Sequence, residues 1–144
     1  MKVNLFILCA VFVSFSLNAQ IYSISDIYNQ TPEYINLIEN KYHNQIIRLE
    51  YDITTGVSST YRYLAKDNVY GIMAIGDKSK IIDLDLAIFQ NKNGNWIKVV
   101  EDTTTEGLAV LNFTPSISDI YKMEIYAKFR AGVQYGFYSL MIFR

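Results

Sequence analysis

From Gln45 to the end of the chain, apolar and polar residues alternate with a period of two, and no stretch long enough for a helix interrupts them. In "IIRLEYDIT", Ile47, Leu49, Tyr51 and Ile53 alternate with Arg48, Glu50 and Asp52, the pattern of a strand with one buried face. Comparable runs follow at "SSTYRYLA", "VYGIMAI", "IIDLDLAIF", "NWIKVVE", "LAVLNFT", "IYKMEIYAKF" and "GFYSLMIF". Clusters of Gly, Asn, Asp, Ser and Thr separate them, and Asn93-Gly94 suits a two-residue hairpin because both central residues of a type I′ turn need positive φ. About eight short strands at this spacing imply an antiparallel β-sandwich or barrel and exclude a parallel α/β sheet.

Two segments precede the strands. "MKVNLFILCAVFVSFSLNAQ" has a basic start at Lys2, an apolar run from Leu5 to about Leu17 and the small residue Ala19 before Gln20. That is the layout of a secretory signal peptide, and the run is shorter than the roughly 18 to 20 residues that span a bilayer. Residues 1–19 are therefore read as a leader, 20–44 as a helical segment and 45–144 as the β domain. In the second segment Thr31 suits an N-cap, Pro32 the first helical position and Glu33 the positive end of the dipole. Ile35, Ile38 and Tyr42 then recur at helical spacing, so a helix from about Pro32 to Tyr42 is expected to dock an apolar face on the β domain.

Composition removes several function classes. The single cysteine, Cys9, lies in the leader, so no disulfide staples the domain that remains. With one histidine, His43, and no other cysteine, a tetrahedral Cys/His zinc site cannot be assembled. A net charge of −1 with both signs dispersed provides no basic stripe for nucleic acid and no polybasic patch for a membrane surface. No glycine-rich loop leads from a strand into a helix, which removes the usual phosphate cradle. No serine is singled out for a triad with His43, and the chain is read as non-enzymatic.

What remains is binding. The chain holds twelve tyrosines and one tryptophan. Most tyrosines are expected in the core or in cross-strand pairs, but Tyr61, Tyr63 and Trp96 lie where strands expose alternate residues, and such side chains suit a protein or glycan surface. Asp83 and Asp85 pose a separate question, because strands tolerate Asp poorly. Alternation puts Ile82, Leu84, Leu86 and Ile88 on a core face and both aspartates on the other. Like charges so placed need donors, a cation such as Arg62 or Lys98, or a bound calcium ion with Asp102 or Asp77 brought in by a loop.

The stretch from Gly76 to Phe143 resembles the bacterial pre-peptidase C-terminal domain. The resemblance rests on Asp83-Leu84-Asp85-Leu86 with an apolar pair after it, Gly94 in the next hairpin, Asp102 after the following strand, Phe113-Thr114-Pro115, and Tyr121 with Met123 and Ile125. It reaches back to Tyr61-Arg62-Tyr63-Leu64 and implies a jelly-roll sandwich of the kind appended to many secreted peptidases. The expectation is a secreted or periplasmic, non-catalytic module that recognises a protein or polysaccharide surface, requires no cofactor unless calcium, and does not insert in a membrane once the leader is removed. Two rivals stay open: a hydrolase using Asp77, Asp102 and Glu106, and a structural subunit of a surface assembly. Intact-mass measurement of exported protein should find its first residue at or near Gln20; a start before Ser14, or a lipid adduct on Cys9, would overturn the leader reading.

Overall fold

The structure, a computed structural model, describes residues 23–144. The leader expected at 1–19 lies outside the described residues. A helix, α1 (Ser25–Asn36), continues into a π-helical segment, Leu37–Lys41, and eight strands follow: β1 (Ile46–Thr54), β2 (Val57–Leu64), β3 (Tyr70–Gly76), β4 (Ile81–Lys92), β5 (Asn95–Asp102), β6 (Leu108–Phe113), β7 (Asp119–Phe129) and β8 (Gly136–Phe143). Each strand occupies one of the alternating runs. The β4–β5 hairpin turns at Asn93 and Gly94, with φ of 55° and 84°, as the dipeptide requires.

The strands form two four-stranded antiparallel sheets ordered β1-β8-β3-β6 and β2-β7-β4-β5. Their inner faces make one apolar core, in which Ile72, Ala74, Leu140 and Ile142 of the first sheet meet Leu84, Leu86, Ile88, Met123 and Ile125 of the second. Tyr121 lies in this core, buried, edge-on to Phe113, and its hydroxyl donates to the carbonyl of Ile117. Polar tip and apolar body are thus both satisfied. The core strand β4 is not a perfect alternation: a bulge between Ile81 and Asp83 turns Ile82 outward, 40% exposed, and puts Ile81 in the core instead. An extra residue shifts the phase of everything before it, so Ile82 is not the core residue that strict alternation makes it.

The first sheet buries its other face too. Met73, Ile75, Met141 and Phe143 point away from the sandwich and pack with Ile27 and Ile38 of the helical segment, with Leu49, Tyr51 and Ile35 around them. Strand β1 therefore turns its apolar side to the helix. Its polar side turns toward the second sheet, where Glu50 accepts from both Arg62 and Arg48. Gly71 is required here because a Cβ would stand 2.0 Å from the Phe143 ring, closer than any real contact.

The helix departs from expectation in extent and face. It begins seven residues earlier, at Ser25, so Thr31 is an interior residue, buried, with its hydroxyl donating to the Ile27 carbonyl and facing Ser139. Pro32 sits inside the helix, where it costs a hydrogen bond, and tertiary docking outweighs that local penalty. Ile38 is buried and Ile35 partly so, but Tyr42 is 58% exposed because the helical segment has ended at Lys41. His43 follows at φ 56°, a left-handed terminating residue after the C-cap. Ile38→Asp should lower the melting midpoint by about 5 °C or more, since a charge would replace a fully buried side chain; an unchanged midpoint in a thermal melt would mean that the helix contributes nothing to the fold.

Candidate functional site

Among the described residues no helix covers the outer face of the β2-β7-β4-β5 sheet, and the residues singled out for binding meet there. Register aligns Tyr61 with Lys122, Lys122 with Phe89, and Phe89 with Lys98, while Tyr63 stands opposite Ile120 and Asn91 opposite Trp96. Strands β2 and β5 are the two edges of this sheet, with backbones about 14 Å apart by strand spacing. Yet the Tyr61 and Trp96 rings lie 5.4 Å apart, centroid to centroid, tilted at 55°. Each long side chain leans inward over the central strands until they touch. Tyr61 is 50% exposed, Tyr63 66% and Ile120 51%, so the ridge continues as an apolar surface toward one end of the sheet.

A charged floor holds the ridge up. The Lys122 ammonium lies 4.4 Å from the Phe89 ring centroid and 5.5 Å from that of Trp96, and it pairs with Glu124 at 2.6 Å. Glu124 also accepts from the Tyr126 hydroxyl and from Ser59 Oγ. Burial alone would raise the Glu124 carboxyl, but the bonds from Lys122 and Tyr126 outweigh it and hold the group below its ordinary value. Its hydrogen bond in turn pushes the Tyr126 phenol up to about 12. The indole is thus clamped from beneath by a cation whose charge is already balanced.

Asp83 and Asp85 share the same outer face, further along β4, as alternation requires. They stand opposite Lys128 and Tyr126 and line a depression of about 220 Å³ with those residues and Ala127. The two cations considered as partners are engaged elsewhere: Arg62 with Glu50, and Lys98 with Glu101. Among the described residues buried Asp83 Oδ1 has no hydrogen-bond partner. Desolvation, and then the neighbouring Asp83 charge, raise the Asp85 carboxyl above its ordinary value.

The structure does not gather Asp102 with this pair. Its carboxylate accepts from the amides of Thr104 at 3.0 Å and Val110 at 2.7 Å. Those bonds outweigh its burial and keep it ionised below the usual carboxylate range. Among the described residues no group of three or more His, Cys, Asp or Glu is arranged to hold a metal ion. Nor do the carboxylates of the hydrolase reading converge. Asp77 is fully buried, with Oδ1 taken by Ser79 and Oδ2 beside Lys80, whereas Glu106 lines a separate open depression with Tyr34, Lys78 and Arg130.

Residue types named the ridge in advance, but three of its parts were missed. Lys122, Phe89 and Ile120 carry it, and the available signal was the alternation of β7 and β4 read against a strand order that the chain does not spell out.

No protein-family model and no curated protein matches the chain. Among solved structures it is similar to the pre-peptidase C-terminal domain of collagenase from Bacillus anthracis. The TM-score is 0.50 over 66% of this chain and 87% of that one, at 12% identity. The two share a fold, which is what the motifs around Asp83, Phe113 and Tyr121 led us to expect.

Asp85 offers a test of its environment. Below about pH 3 the group is protonated in folded and unfolded chains alike and costs nothing. As pH rises past the ordinary value of 3.8, the unfolded chain loses its proton first. A penalty on the folded state then builds until the higher folded value is passed. Asp85→Asn should therefore raise the melting midpoint at pH 7 by about 2 °C, with the gain vanishing toward pH 3; a variant that is less stable at pH 7 would show that the ionised carboxylate supports the fold.

Proposed function

We propose that this chain is a secreted, non-catalytic binding module that engages an extended protein or glycan surface with the outer face of its β2-β7-β4-β5 sheet. The observation that carries this reading is the Tyr61–Trp96 contact across the full width of that face, continued by exposed Tyr63 and Ile120. Aromatic side chains with polar tips offer large contact area at low entropic cost, and a flat sheet presents them to a flat partner. Exposed apolar surface gathered in one place calls for a partner more strongly than the same residues scattered singly.

The strand order supports the finer reading of the fold as a jelly roll, since β1-β8-β3-β6 over β2-β7-β4-β5 is what an antiparallel pair of Greek keys produces when the chain passes back and forth between two sheets. The similar solved domain belongs to a collagenase, which favours an accessory role and makes fibrous protein a natural first probe. Placement in the periplasm or outside the cell rests on the leader-like start of the chain. Among the described residues no helix is long and apolar enough to cross a membrane.

The single tryptophan makes the site its own reporter. Fluorescence titration and co-sedimentation with collagen fibrils, chitin and peptidoglycan sacculi should give a Trp96 signal change with one of these, and Tyr61→Ala should weaken that binding by about tenfold while leaving the melting midpoint within a few degrees. Binding that persists unaltered in a Tyr61→Ala, Trp96→Ala double variant would move the site elsewhere on the molecule.

A further inference from the structure

Two sheets of four strands leave four edges, and the chain treats one of them differently. On β1 the Ile53 amide is capped by the Asp52 carboxylate, the Ile53 carbonyl accepts from Ser58 Oγ, and the register slips at Ile47. On β6 the Val110 amide is closed by Asp102. Strand β5 bulges where Val99 has no partner between Lys98 and Val100, and it carries Lys98 and Glu101. Bulges, charges and caps are the usual means of blunting an edge.

Among the described residues nothing protects strand β2 in this way along its backbone amides. It pairs with β7 over all eight residues without a register shift, it holds no proline, and its one charged residue, Arg62, is turned in toward Glu50. The phase of its backbone follows from a bond at its start, where the Ala127 amide donates to the Gly56 carbonyl at 2.7 Å. In an antiparallel ladder successive residues alternate between facing the partner strand and facing away. Even-numbered residues of β2 therefore face β7, and Val57, Ser59, Tyr61 and Tyr63 direct their N–H and C=O groups out of the sheet. Among the described residues only the Tyr61 carbonyl of these groups finds a partner, Arg62.

We propose that this edge is an interface between two copies of the chain, joined β2 to β2 in antiparallel register about a twofold axis at Thr60. The strand is complementary to itself in that register. Ser59 meets Tyr61 of the second copy and Val57 meets its Tyr63, with outward-facing backbone groups opposite one another in every such pair. Small residues oppose large aromatic ones, Arg62 opposes Ser58, and no like charges meet. The two second sheets become one sheet of eight strands. Their aromatic ridges then flank a single seam, with Tyr61 and Tyr63 contributed from both sides.

The axis makes the proposal testable at one residue. Thr60 would face its own symmetry mate as a pair without ladder hydrogen bonds, at a Cα separation of about 4.5 Å, inside the disulfide range. Ser58 and its mate would be about 13 Å apart along the strands. In a Cys9→Ser background, Thr60→Cys should give a covalent dimer on mild oxidation and Ser58→Cys should not. Sedimentation equilibrium of the exported protein from about 1 to about 100 µM should show the mass doubling with concentration. Ser59→Pro should hold it at the monomer with little change in melting midpoint, because that N–H serves only the free edge and the hydroxyl it removes makes only an exposed 3.5 Å bond to Glu124. A monomer throughout the range overturns the proposal, as does a dimer that survives Ser59→Pro or equal cross-linking at positions 58 and 60. None of these readouts depends on a ligand, so binding through the ridge stands or falls separately.

Discussion

Strand β3 is buried at every one of its seven residues, and β8 at all but one of its eight. A sheet can be dry on both sides only if something covers each, and the rest of the molecule is arranged to supply the two covers. The second sheet covers Ile72, Ala74, Leu140 and Ile142; the helical segment covers Met73, Ile75, Met141 and Phe143. This explains why β3 and β8 read as near-continuous apolar runs while β2 and β5 alternate. It also explains why a helix with an interior proline and no side-chain N-cap persists. Its stability comes from the face it buries, not from its own propensity.

One sheet is covered twice, while among the described residues nothing covers the outer face of the other, and charge is handled there in two ways. Around Lys122 and Glu124 a cation and an anion neutralise each other beneath aromatic rings, and both side chains are mostly buried. Around Asp83 and Asp85 no such closure occurs among the described residues, and Asp85 is held partly desolvated beside a like charge. The first arrangement rigidifies the surface on which Tyr61 and Trp96 lean. The second stores a modest electrostatic cost at the far end of the same strand.

The strands were legible because side-chain alternation has a period that no other structure shares, and each run was bounded by residues that favour turns. The likeness to the pre-peptidase C-terminal domain was legible in short motifs on β4, β6 and β7. The helix start was not: Thr31-Pro32-Glu33 has the local chemistry of an N-terminus, and only the sheet behind it, with Ser139 facing Thr31, makes it an interior segment. Strict alternation also failed at Ile82, where a bulge that carries no compositional mark turned the residue outward. Tyr61, Tyr63 and Trp96 could be named one by one, but their meeting could not. It depends on β7 and β4 lying between β2 and β5, an order set by how the whole chain folds back on itself.

Strand β2 stands at the junction of these constraints. Its even-numbered residues face β7 with their backbone and the interior with their side chains, where Arg62 and Leu64 help to close the sandwich. Its odd-numbered residues do the opposite on both counts, since in a pleated strand the direction of the side chain and the direction of the backbone groups alternate together. Tyr61 and Tyr63 therefore offer rings to the outer face and hydrogen-bonding groups to the edge at once. Had the Gly56–Ala127 bond fallen one residue later, Tyr61 and Tyr63 would have turned their rings to the interior and their backbone groups to β7. The phase of a single ladder thus makes the most aromatic surface of the molecule continuous with its least protected edge.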